Sequence, residues 1–334
     1  MGEIRLVLAG LGGVGKNMVR LAQTRHQVQI VGAYSRNESL LGHDLGELIQ
    51  ENPIGVEAST RDQALEAQAD VLVIATTSFL AEVTDDIHAG IEAGLNVICT
   101  AEEMAFPWIV DRETAMSIHD HALREEVTVV GAGANPGYIY EVVGLALTGA
   151  AWDIESIGVQ RVVDLSAFSS GVMRRLGIGY TEDTFADQVR NRAVYGHIGF
   201  GHTIHSFATR FGLEIERIED SIEPILTEHS ITSLAVEVAE GESAGLRQRT
   251  IGFVEGEPWF NAEFLGHVEL DGLGLVPRDT YEISGAPNIR GVIEPGFNPQ
   301  RTVTAALMNT LPHIVAARPG LISVTDLPIP SPWS

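Results

Sequence analysis

The apolar positions in the first third of this chain fall into short continuous runs. IRLVLA (4–9), VQIVGAY (28–34), DVLVIATT (70–77), NVICT (96–100) and VTVVGAG (127–133) each read as a strand. Between them, KNMVRLAQ, FLAEVTDDIHAGIEAG and TAMSIHDHALREE repeat their apolar residues at helical spacing. Continuous runs suit strands covered on both faces. Their alternation with helices of roughly 10 to 15 residues predicts right-handed βαβ units and a doubly wound parallel sheet.

The pattern changes after ANPGYIYEVV (134–143). SIGVQRVVDL, ITSLAVEVAEG, LRQRTIGFVEG and PWFNAEFLGHVEL are longer and alternate apolar with polar residues. Such segments predict a mostly antiparallel sheet and an α+β second domain. Two domains also fit the length, since 334 residues is long for a single core. The expected boundaries are 1–135 for the first domain and 136–300 for the second. Residues 301–334 hold a helix, RTVTAALMNTLPHIVAA, and an extended tail, PGLISVTDLPIPSPWS, expected to return to the first domain.

Composition narrows the class. Hydrophobic residues at 45% and charged residues at 20% exclude a disordered chain. No apolar run approaches the roughly 18 to 20 residues that span a bilayer. The opening MGEIRLVLAG enters a strand at once without a basic leader, so no signal peptide is expected. The one cysteine, Cys99, cannot form an internal disulfide, which fits the cytoplasm. A net charge of −24, from 21 basic and 45 acidic residues, argues against nucleic acid and membranes as partners.

Gly10, Gly12 and Gly15 form G-x-G-x-x-G between the first strand and its helix, with Gly13 and Val14 inside the motif. The first glycine allows the tight turn, the second lets backbone approach a pyrophosphate, and the third allows close helix–strand packing. The phosphates would sit on the helix N-terminus. Strand before and helix after make this a Rossmann dinucleotide site rather than a structural glycine turn. At the end of the second strand the chain reads Ser35, Arg36, Asn37, with no acid until Glu38. An acid there would bind the ribose of NAD, whereas Arg and small hydroxyls accommodate a 2′-phosphate. The prediction is NADP, with NAD use left open; the alternative for Arg36 is a solvated loop charge. Thr76 and Thr77 end the third strand, where ligands of open α/β sheets bind.

CTAEEMAFPW follows the fourth strand and sets Glu102 beside Glu103. A carboxylate next to a nicotinamide suits a developing positive charge, such as an iminium or an ammonium, rather than an anionic substrate. Partial burial against Met104, Phe106 and Trp108 would raise its pKa. The alternative is a carboxylate that caps the following helix or pairs with a cation. One Glu is expected in each role.

These residues lie within a wider resemblance. GLGGVGKNMVR, LLGHDLGELIQENPIGVEAS, TAEEMAFP, GAGANPGYIYEVV, GHIGFGHTIHSF, GLRQRTIG and NTLPHIVAARPGLISVTDLP resemble, in order, the 2,4-diaminopentanoate dehydrogenase group. That group is related to dihydrodipicolinate reductase and includes native NAD(P)-dependent amine dehydrogenases. The resemblance implies interconversion of an amine with a ketone or aldehyde plus ammonia, in a homodimer. It gives the carboxylate role to Glu103 first and Glu102 second, and sets Asn135 of Asn135-Pro136-Gly137 beside the nicotinamide, where a plain turn is the alternative. Arg161 and His197 resemble substrate-facing polar residues, and Tyr140, Phe168 and Met173 complete the expected pocket. His197, His202 and His205 lack nearby Cys or carboxylate partners, so no metal is expected. Arg174 and Arg175 read as solvated charges.

The expected function is an NADP-dependent amine dehydrogenase. The rivals are a 2,4-diaminopentanoate dehydrogenase acting on a charged amino acid, a dihydrodipicolinate reductase-like C=N or C=C reductase, and a dinucleotide-binding sensor without chemistry. The ring reductase would need a Lys, Arg and His cluster where this chain offers two acids.

Overall fold

Apolar residues that alternate between the two faces of β1 (Ile4–Ala9) organise the first unit. Leu6 and Leu8 enter one buried cluster, Val7 and Ala9 the other. In the computed structural model, described over residues 2–232 and 236–333, that unit comprises Met1–Val143 and Asn298–Ser334. After β1 come α1 (Gly13–Ala22), β2 (Val28–Tyr34), α2 (Leu45–Leu48), β3 (Ala58–Ser59) and α3 (Arg61–Leu65). Then follow β4 (Val71–Ile74), α4 (Leu80–Glu92), β5 (Asn96–Cys99), α5 (Arg112–Arg124) and β6 (Thr128–Gly131).

The second unit, Gly144–Phe297, holds most of α6 (Val143–Thr148), then β7 (Asp153–Asp164), α7 (Ser170–Arg175), α8 (Glu182–Arg190) and α9 (Phe200–Phe211). Its strands continue with β8 (Arg217–Leu226), β9 (Ile231–Thr232), β10 (Glu237–Val238), β11 (Ser243–Val254), β12 (Glu257–His267), β13 (Arg278–Ala286) and β14 (Ile289–Ile293). Six form a sheet in the order β14-β13-β7-β12-β11-β8, antiparallel except where β7 runs parallel to β12. The predicted strand ITSLAVEVAEG survives as the short β9–β10 pair; its residues 233–235 lie outside the described residues.

The chain then re-enters the first unit as α10 (Pro299–Val315) and β15 (Gly320–Ser323). Within the extended tail, β15 is a strand parallel to β6, completing a seven-stranded parallel sheet in the order β15-β6-β5-β4-β1-β2-β3. Leu307, Met308, Leu311 and Ile314 of α10 join the cluster on the face that α1 covers, while α4 and α5 cover the other. The unit boundaries fall at 143/144 and 297/298, not at 135/136 and 300/301. Residues 134–142 stay with the first unit because they pack on α10 and bury Ile139, Tyr140 and Glu141.

Candidate active site

Chain order reverses between β1 and β4, so the crevice of an open α/β sheet opens at their C-terminal ends. The glycine loop leaves β1 there. Gly10 stands at φ 97°, and a Cβ on it would meet the Ala75 carbonyl oxygen at 2.5 Å. A Cβ on Gly15 would collide with the Gly10 carbonyl, whereas Gly12 and Gly13 face open space. Helix α1 begins after Gly12 with no side-chain cap and no acid in its first turn. Its leading N–H groups and dipole therefore favour an anion.

The end of β2 is tied down by its own side chains. Asn37 N–H donates to Ser35 Oγ at 3.1 Å, and Asn37 Oδ1 accepts from Ser39 N–H and Oγ. Arg36 Nη2 donates to the Glu82 carbonyl at 2.6 Å and to Asp86 Oδ2 at 3.3 Å, both on α4. Thr76 and Thr77 follow β4, with Thr76 exposed.

The two glutamates part company in the turn after β5. Glu103 N–H donates to the Ser78 carbonyl at 3.2 Å, and Glu103 Oε2 accepts from Leu80 N–H at 2.6 Å. Leu80 opens α4, whose preceding residue, Phe79, offers no side-chain cap. Glu103 thus serves as the cap of α4, in the manner of an N-terminal carboxylate. Glu102 is half-buried beside it at the C-terminal end of β5. Its charge adds to the burial that pushes the Cys99 thiol up to about 12. Asn135, partly buried, lies past the end of β6, and Gly137 turns at φ 131°, an angle that favours glycine. Gly137 N–H donates to the buried Glu141 carboxylate at 2.6 Å.

In the second unit the sequence predicts Arg161 as a cation facing a substrate. Instead it is 5% exposed, its Nε is 3.6 Å from Asp279 Oδ1, and its Nη2 donates to the Phe297 carbonyl at 2.6 Å. Phe297 N–H donates to Asp279 Oδ2 at 2.7 Å. Burial raises the Asp279 pKa, opposed by Arg161 and by the Phe297 N–H. His197 stacks on Phe200 at 4.7 Å and inclines to Phe264 at 6.4 Å. Its Nδ1 accepts from Gly199 N–H at 3.0 Å, while Gln248 bonds its backbone on both sides. Phe168 is half-buried, and Met173, like Tyr140 in the first unit, is an enclosed core side chain rather than an open pocket wall. Burial lowers His202 to about 4 and lowers His205 as well. No cluster of three or more metal-ligating side chains occurs among the described residues. Arg175 donates to the Tyr195 hydroxyl at 3.3 Å.

Family models and known relatives agree along nearly the whole chain. Residues 138–334 match the 2,4-diaminopentanoate dehydrogenase C-terminal domain, and residues 4–101 match the dihydrodipicolinate reductase N-terminus. A 2,4-diaminopentanoate dehydrogenase of Acetoanaerobium sticklandii is 32% identical over 99% of this chain and 95% of its own. The chain belongs to the 2,4-diaminopentanoate dehydrogenase family.

An amine dehydrogenase of Streptomyces virginiae is 24% identical over 98% of this chain and 96% of its own. The structure of a Mycobacterium smegmatis amine dehydrogenase is 25% identical, with a TM-score of 0.84 over 98% of this chain and 96% of that one. As a member of this family the chain is an NAD(P)-dependent oxidoreductase. The residues present fit the dinucleotide: a side-chain-free cradle at Gly12 and Gly13 faces the uncapped start of α1. No helix among the described residues is long and apolar enough to cross a membrane.

Sequence reasoning missed three charged residues around these sites: Asp86, Arg61 and Asp279. Asp86 carries a signal, an acid on the inward, apolar-rich face of α4 between Val83 and Ile87. Asp279 lies opposite Arg161 only through the β7–β13 register.

Proposed function

We propose that this protein is an NADP-dependent amine dehydrogenase, converting a ketone or aldehyde and ammonia to an amine, and the reverse. The observation that carries the reading is the pair of half-buried carboxylates directly after β5, at the C-terminal end of the parallel sheet where the glycine loop also lies. Of the two, Glu103 caps α4 through Oε2, and we give the proton transfers to Glu102, the first acid after the strand. The sequence resemblance gives the role to Glu103 first, and we take the two acids in the opposite order.

When bound, NADPH supplies hydride to the carbon of the C=N bond, and NADP takes it back in reverse. Gly12, Gly13 and the start of α1 would hold its pyrophosphate, and Arg36 its 2′-phosphate. The Glu102 carboxylate takes the proton released as ammonium becomes the attacking ammonia. It returns that proton to the hydroxyl that leaves as water, so ammonium and carbonyl yield iminium and water. The anionic carboxylate then stabilises the iminium, because a fixed charge needs no reorganisation as the cation forms. Asn135 would position the nicotinamide.

A neutral substrate is favoured because Arg161, the predicted carboxylate anchor, is neutralised by Asp279. The 32% identity to a 2,4-diaminopentanoate dehydrogenase favours a second reading, a charged diamino acid. NADPH consumption over a panel of ketones, with and without ammonium, tests the main reading: turnover must require ammonium. Oxidation of 2,4-diaminopentanoate in preference to neutral amines would select the second. We also take the protein to be a cytoplasmic homodimer, which sedimentation at micromolar concentration checks.

A further inference from the structure

Beside the end of β2, three elements converge on one buried carboxylate. Asp86 of α4 has a side chain only 7% exposed, and both its oxygens meet guanidinium groups. Arg36, from the loop after β2, reaches Oδ2 at 3.3 Å; Arg61, the first residue of α3, reaches Oδ1 at 3.5 Å. Tyr34, the last residue of β2, lies against the same carboxylate. The arginines themselves remain open to solvent, 61% and 42% exposed. A buried carboxylate is tolerated only when paired, so Asp86 holds both cations in place. Each guanidinium carries five N–H donors in a rigid fork and keeps several for a ligand. Arg61 also lies 3.7 Å from Asp62, which is 91% exposed and so binds it weakly.

We infer that Asp86 sets Arg36 and Arg61 as a two-guanidinium clamp for the 2′-phosphate of an adenine nucleotide. The inference rests on the NADP reading and adds two residues to it, Arg61 as a second phosphate ligand and Asp86 as the positioning residue. The same arrangement disfavours NAD. Asp86 is only 7% exposed and carries an arginine on each oxygen, so it is poorly placed to receive a ribose 2′-hydroxyl.

Calorimetric titration of the whole protein with adenosine 2′,5′-bisphosphate and with 5′-AMP tests this without any turnover. The wild type should prefer the bisphosphate, and Arg36→Ala and Arg61→Ala should each reduce that preference roughly tenfold, as loss of one charge-assisted bond predicts. Asp86→Asn, close in shape, should reduce the preference while leaving 5′-AMP affinity near the wild-type value. Equal binding of both nucleotides by the wild type would overturn the NADP reading itself. A wild-type preference lost in Arg36→Ala but kept in Arg61→Ala would leave NADP standing and overturn the clamp. Equal weakening of both nucleotides in Asp86→Asn would reduce Asp86 to a folding role. If Asp86→Asn does not fold, the solvent-exposed Arg61 variant alone decides the clamp.

Discussion

Two regions of this protein carry charge in ways that look alike in sequence and differ in the folded chain. In the second unit, Arg161 and Asp279 sit opposite one another on β7 and β13, and each is almost fully buried. Arg161 is turned to Asp279 and to the Phe297 carbonyl and is closed off from solvent. At the rim of the first unit, Glu102 stays half-exposed, and Arg36 and Arg61 are braced from below but open above. A charge is available for chemistry when the fold supports it on one side only.

The largest test of this contrast is Asp279→Ala. Leaving Arg161 buried and alone should cost about 3–5 kcal/mol in urea unfolding. A loss below about 1 kcal/mol would mean that Arg161 reaches water after all. Next is Glu102→Gln, for which kcat should drop on the order of a hundredfold or more while nucleotide binding persists. Unchanged turnover would remove Glu102 from the reaction.

His202 sharpens the contrast through pH. Burial holds its folded pKa near 4, below the ordinary 6.5. Between those values the unfolded chain takes up a proton that the folded chain refuses, so stability falls as pH drops through that window and levels off below it. The effect should reach up to about 3 kcal/mol. His202→Gln should flatten the decline, and an equally steep decline in that variant would assign it to other groups. The smallest expected effect is at the neighbouring acid. Glu103→Ala should cost about 0.5–2 kcal/mol of stability, as a lost helix cap does, with kcat little changed. A collapse of kcat there, with Glu102→Gln still active, would return the catalytic role to Glu103.

The first unit was largely legible because strands buried on both faces write themselves as unbroken apolar runs. β15 was not, since GLIS is four residues long and gains its identity from pairing with Thr128–Gly131 almost two hundred positions earlier. For the candidate site, the sequence names residue types, and their partners emerge only in the folded chain. Adjacent glutamates have the same local pattern, and the hydrogen bond from Leu80 N–H to Glu103 forms only once α4 packs beside the turn. Arg161 read as a free cation because its partner lies 118 positions later and meets it through strand register. Asp86 joins Arg36 and Arg61 only once β2, α3 and α4 have assembled.

The late arrival of β15 has a consequence for the living cell. While the ribosome extends the chain, β6 presents bare N–H and C=O groups along its outer side until residue 323 has been made. An unpaired strand margin of that kind invites stray pairing with other nascent chains. A chain that stops before Gly320 should therefore surface as inclusion bodies rather than as a slower catalyst.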